Sequence, residues 1–119
     1  IDGMQVVGAD YHTTASREHY ADFFSKVPIN KSLPSILIKH VPSNVDMARE
    51  AGINLQLSGH THRAQMQPVS FMPRLIYNGF DYGLKSSGPI QVLVSSGVGT
   101  WGPPLRVGTQ SEIILLTFE

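Results

Sequence analysis

Leu55-Gln56-Leu57-Ser58-Gly59-His60-Thr61-His62-Arg63-Ala64-Gln65 decides how the rest of this sequence is read. Ile53, Leu55 and Leu57 alternate with polar neighbours, which in an extended chain turns them to one face, so the segment reads as a strand with one buried side. Ser58-Gly59 then breaks the strand and presents two histidines. In an extended or strand-end segment, residues two apart point to the same side, whereas in a helix they splay by roughly 200°. Neutral imidazole is the commonest metal ligand near neutral pH, so His60 and His62 form a candidate metal site. The simpler alternative is a polar turn that closes a strand.

Immediately upstream, Ser35-Ile36-Leu37-Ile38-Lys39-His40 is a nearly continuous apolar run, the pattern of a strand covered on both faces. Val41-Pro42 ends it. Ser43 with Asp46 three residues on reads as a capping-box variant, and Gly52 sits where a helix should stop, so a helix is expected over residues 44–51. Strand, helix and strand in this order form a unit that joins parallel neighbours by a right-handed crossover. Parallel neighbours end at the same edge of a sheet, so His40 is expected to meet His60 and His62. Ligand sites of open α/β sheets sit at that edge.

Further out, residues 4–8 read as a first strand and residues 9–13 as a polar loop. Thr14 or Ser16 can cap a helix in which Tyr20, Phe23, Phe24 and Val27 fall on one buried stripe. Pro28 ends it, and a turn-rich connection follows. Beyond Gln65 the character changes to strand and turn. Residues 74–77, 90–95 and 112–118 are read as strands from their Val, Ile and Leu content, Asn78-Gly79 and Tyr82-Gly83 as turns, and residues 85–89 as an exposed loop. No further helix is evident there. The glycine-rich stretch 95–106 is not a phosphate loop of the helix-backed kind, because Pro103-Pro104 follows its glycines. It reads as a sharply turning rim with Trp101 packed over it, and Arg106 is a candidate contact for an anionic substrate.

The whole chain has 119 residues, of which 41% are hydrophobic and 15% charged, and this suits a single unit over residues 1–119 with a real core. Nine basic and nine acidic residues balance, so nothing points to capture of nucleic acid or a membrane surface. Without cysteine there is neither a disulfide framework nor a thiolate metal site. No apolar run approaches the roughly 18 residues of a spanning helix and no signal peptide is read at the start, so the segment is expected to fold in water. Starting at Ile1 without a methionine, the chain looks like a piece of something longer.

With these residues in place, the sequence resembles the carboxyl-terminal part of a calcineurin-like metallophosphoesterase domain. The resemblance rests on His40 at a strand end, on Gly59-His60-Thr61-His62, which matches the family's Gly-His-x-His, and on residues 95–106 followed by Gly108 and Ser111-Glu112-Ile113. The last stretch is similar to a bacterial subgroup that often carries membrane-spanning or export segments upstream; the compartment itself stays undetermined. The fold implied is α/β, a partial αββα sandwich in which strand-helix-strand-helix-strand is followed by a β-rich segment.

The resemblance implies that His40 and His60 bind one metal of a two-metal centre and His62 the other, with manganese, iron or zinc suited to mixed histidine and carboxylate ligation. It further implies a metal-activated hydroxide attacking a phosphomonoester or phosphodiester. The family's Gly-Asp-x-x-Asp and Gly-Asn-His motifs are absent from these residues. Asp10-Tyr11-His12 does spell the family's early Asp-x-His, but only 27 residues separate His12 from His40, with no room for the other two motifs, and it is read as a chance match. Arg63-Ala64 stands where the family commonly has Gly-Gly, and Arg63 is a second candidate for phosphate binding. Three imidazoles cannot offset two divalent cations, so this chain alone is expected to hold no metal or one weakly, and to hydrolyse negligibly. The alternative is a non-catalytic module that binds metal through the histidines or mediates assembly. An uncovered sheet face is expected to make the chain a homo-oligomer.

Overall fold

The computed structural model describes residues 3–12, 14 and 16–118. Its elements, in chain order, are β1 (Gln5–Ala9), α1 (Arg17–Lys26), β2 (Ser35–Lys39), α2 (Val45–Ala51), β3 (Leu55–Ser58), a 3-10 turn (His62–Ala64), α3 (Phe71–Ile76), β4 (Gly83–Ser87) and β5 (Ile90–Val94). The strands form one five-stranded sheet in the order β1-β2-β3-β5-β4. All pairings are parallel except that of β4 with β5.

Period-two alternation decides which face is the core. Leu37, Val92 and Val94 are fully buried, and with Ala9 and Ile90 they meet Tyr20 of α1 and Val45 and Ala48 of α2. Ser16 starts α1 by accepting a hydrogen bond from the His19 N–H at 3.1 Å. The aromatic stripe then packs as expected, with the Tyr20 and Phe24 ring centroids 4.8 Å apart. Gly52 ends α2 in the left-handed region at φ 94°, where its N–H closes on Arg49 O at 3.0 Å.

The opposite face of the sheet is open over much of its extent. Register aligns Val6 with Ile36, Gly8 with Ile38, and Leu84 with Leu93. Of these, Val6, Ile38 and Leu84 are 47%, 51% and 60% exposed. The expectation that β2 is covered on both faces holds at Ile36, which is 9% exposed, and fails at Ile38 two residues on, where among the described residues nothing roofs the strand.

Four further expectations change. Residues 74–76 belong to α3 and Tyr77 is its C-cap, so this stretch is not a strand. Asn78 and Gly79, both at positive φ, close that helix through Gly79 N–H to Arg74 O at 2.7 Å, and this cap overrides the β propensity of Ile76 and Tyr77. Gly83–Ser87 is a strand where a turn and loop were expected, because a polar edge strand carries no apolar alternation to betray it. Residues 112–118 form no ladder; Ile113 and Leu115 are 88% and 89% exposed, so β propensity without a partner strand yields only extended chain. Ser43 does not cap α2: its hydroxyl and carbonyl accept from the buried Lys39 ammonium, and Asn44 takes the cap position at φ 55° without a side-chain capping bond.

Candidate metal centre

Parallel β1, β2, β3 and β5 all end at one edge, and their exit loops carry the site. His40 directly follows β2. His60 and His62 follow β3, where Gly59 N–H donates to His40 O at 2.9 Å and so ties the two exits together. A Cβ added to Gly59 would lie 4.0 Å from His40 Nδ1, an ordinary contact. The rings of His40 and His60 meet edge to face with centroids 5.0 Å apart. His40 and His60 therefore meet at this edge, as strand, helix and strand imply; no ring contact of His62 with either is seen among the described residues.

The loop is held in an unusual backbone. His60 and every residue from 62 to 65 have positive φ, between 47° and 66°. Non-glycine residues occupy this left-handed region at a cost of about 1 kcal/mol each, and such strain concentrates at functional loops. Arg63 and Ala64 lie within the run, which gives a physical reason why glycines suit these two positions.

Cross-links fix the strained loop. Thr61 Oγ1 donates to Asp81 O at 2.7 Å and accepts from Arg63 N–H at 3.2 Å. The buried Gln65 amide donates to Trp101 O and Pro103 O, both at 2.9 Å, and accepts from Trp101 N–H at 2.6 Å. Arg106 donates to Ser96 O at 2.8 Å, to Gly97 O at 3.2 Å and to Gly99 O, and reaches His62 O at 3.4 Å. Glu112 completes the rim: it accepts from Ser96 N–H at 2.8 Å and from Tyr82 OH at 2.8 Å. Partial burial opposes its charge, but these hydrogen bonds prevail and hold the Glu112 carboxyl below the usual carboxylate range.

The electrostatics favour neutral imidazole. Burial, and then the neighbouring His40 and His62, push His60 below its ordinary pKa. His62 Nδ1 is buried and, among the described residues, has no hydrogen-bond partner. An orphaned imidazole nitrogen beside other imidazoles fits the histidine part of a mixed ligand set for a transition metal or zinc. No group of three or more His, Asp or Glu side chains among the described residues is arranged to hold a metal ion by itself.

The two arginines sit elsewhere. Arg63 stacks over the Tyr82 ring at 4.4 Å and lines an adjacent cavity with Tyr82 and Glu112. Neither it nor Arg106 lines the histidine cavity. Conversely, Tyr11, in the triplet read as a chance match, lies at the same edge with its ring 6.5 Å from that of His60. Tyr77, the C-cap of α3, faces His60 at 6.0 Å. Burial, and then Tyr11, hold the Tyr77 hydroxyl above its ordinary pKa. Reading β1 as a parallel neighbour of β2 is the signal that would have found Tyr11; Tyr77 had none, since its helix was not legible.

Comparison with known proteins identifies the scaffold. The chain is 42% identical over 95 residues to an uncharacterized metallophosphoesterase of Campylobacter jejuni, covering 79% of this chain and 25% of that protein. It is 35% identical over 119 residues to an uncharacterized metallophosphoesterase of Helicobacter pylori, covering 98% of this chain and 32% of that protein. The chain belongs to the metallophosphoesterases. It spans about a quarter to a third of the length of these curated relatives. Another metallophosphoesterase relative, 38% identical over 89 residues that cover 72% of this chain and 20% of that protein, is the bovine "transmembrane protein with metallophosphoesterase domain". In the present chain, no helix among the described residues is long and apolar enough to cross a membrane. No family model and no solved structure matches this sequence.

Proposed function

We propose that residues 1–119 are the carboxyl-terminal part of a two-metal phosphoesterase domain that hydrolyses phosphomonoesters or phosphodiesters, with His40, His60 and His62 as its histidine ligands. One observation carries this reading: imidazoles from two adjacent parallel strands meet at one sheet edge, and His62 Nδ1 is buried there without a partner among the described residues. Divalent cations held by His40, His60 and His62 together with carboxylates would supply charge neutralisation for the phosphoryl oxygens and a water nucleophile effective at neutral pH. The chain's own residues do the positioning. His60 stays neutral and free to donate a lone pair, Gly59 N–H fixes the height of His40, and Arg106 and Gln65 hold the rim against the histidine loop. The phosphoryl group in this reading is met by cations, with Arg106 a positioning residue. The open face of Val6, Ile38 and Leu84 supports an αββα sandwich, in which a second sheet packs on it.

Because the family's carboxylate motifs do not occur in these residues, manganese added to this chain is expected to give no turnover of a chromogenic phosphodiester above the metal blank. A longer protein carrying both motifs should turn over the same ester. Robust hydrolysis by the 119 residues alone would sink the proposal.

The open face also supports a second reading, a module that self-associates. Light scattering at rising concentration is expected to report a dimer or larger species, since apolar faces of this kind drive association. A monomer at high concentration would eliminate it.

A further inference from the structure

The histidines, with Thr61 and Gln65, occupy one wall of a cavity of about 590 Å³ whose remaining surface is largely apolar, formed mainly by Met66, Val69, Met72, Ile76, Tyr77 and Trp101. A phosphoryl group needs only a corner of such a space; cavities of this size enclose whole organic ligands. No lysine, arginine, aspartate or glutamate lines it. A substrate whose remainder is charged, such as a nucleotide, would bury that charge without a partner here. A hydrocarbon remainder would instead cover Met72, Ile76 and Trp101, which are 49%, 64% and 75% exposed. Unbranched, polarizable methionines adapt to flexible apolar ligands of differing shape.

We propose that the site takes phosphate esters of long-chain, uncharged apolar alcohols, with the hydrocarbon lying between α3 and the Trp101 loop while the phosphoryl group faces the histidines. This substrate class rests on the phosphoesterase reading above.

Trp101 is the chain's single tryptophan, so its emission reports the cavity directly. The probes are ethyl, butyl, hexyl and octyl phosphate, each kept below its micelle concentration and titrated into the 119-residue chain. A saturable blue shift is expected, with affinity rising roughly fourfold per methylene. Ile76→Asp and Met72→Glu, at exposed positions that leave folding intact, should each flatten that dependence severalfold while far-UV circular dichroism stays unchanged. Equal affinity from ethyl to octyl, or a chain-length dependence untouched by both substitutions, would overturn the proposal. So would a blue shift that grows with protein concentration in the absence of ligand, which would make a second copy the occupant. Manganese-dependent hydrolysis of the chromogenic phosphodiester by a longer protein with the carboxylate motifs is measured beside it. Hydrolysis with a flat chain-length dependence overturns the substrate class alone. A steep dependence without hydrolysis overturns the phosphoesterase reading, and the substrate assignment falls with it.

Discussion

Replacing His60 by alanine in a protein that joins this chain to the family's carboxylate motifs is expected to lower kcat/KM by at least about 100-fold and to reduce bound manganese. The lower bound follows from groups that merely support metal ligands, whose loss costs 10- to 100-fold. His60 stands closer to the chemistry than such groups. Its ring lies 5.0 Å from that of His40 and 6.0 Å from that of Tyr77, so it occupies the middle of the cluster. Its backbone is in the left-handed region at φ 66°, a conformation that alanine tolerates no better, so the substitution tests the ring and not the turn. Kinetics and metal content should fall together. Activity within threefold of the parent, with full metal content, would remove His60 from the ligand set.

Lys39→Ala is expected to cost about 2–4 kcal/mol of folding stability. Lys39 is 1% exposed and points into the core, where its ammonium stands 4.7 Å over the Tyr20 ring. It donates to Val41 O at 2.9 Å, Ser43 O at 2.6 Å and Ser43 Oγ at 3.0 Å, which pins the loop leaving His40. Alanine strips these acceptors of their donor and opens a cavity beside Tyr20. Lys39→Met, which keeps the stem, should recover the packing part of the loss. A pH dependence identifies the charge. Burial pulls Lys39 down to about 8, so between pH 8 and its ordinary pKa of 10.5 the unfolded chain binds more protons than the folded one. Stability of the metal-free chain should therefore rise by roughly 1–2 kcal/mol from about pH 8 to about pH 9.5 in denaturant titrations. Tyr20, whose hydroxyl is raised by burial, works in the opposite direction above pH 10 and bounds the window. The rise should vanish in Lys39→Met; a slope of equal size in that variant would assign it to other groups.

The parts of the fold that sequence reveals are those in which local chemistry and global packing agree. Ser16 caps α1, Gly52 stops α2, and the apolar alternation around Leu55 marks β3, so the approach of His40 to His60 follows from topology alone. Elsewhere a side chain's nearest competitor sat far away in sequence or was invisible to pattern. Ser43 looked like a cap until Lys39 claimed its oxygens. Ile76 and Tyr77 favour strand, yet the Asn78-Gly79 stop made them the end of a helix, and with it one wall of the cavity. Ile113 and Leu115 had the composition of a strand but no neighbour to pair with. At the site, imidazoles were legible because their spacing carries meaning. Met72, Tyr77 and Trp101 were not legible as cavity residues, since they reach the cavity from a helix, its cap and a loop whose placement depends on the finished sheet.

Arg63 and Ala64 share the same left-handed backbone but differ in what else holds them. Arg63 is anchored over Tyr82, so exchanging it for glycine relieves strain and forfeits a contact. Ala64 has only a methyl group to lose. The two positions therefore open unequal routes for drift: residue 64 can pass to glycine with only strain to shed, whereas at residue 63 the relief of about 1 kcal/mol is offset by loss of a Tyr82 contact of similar size.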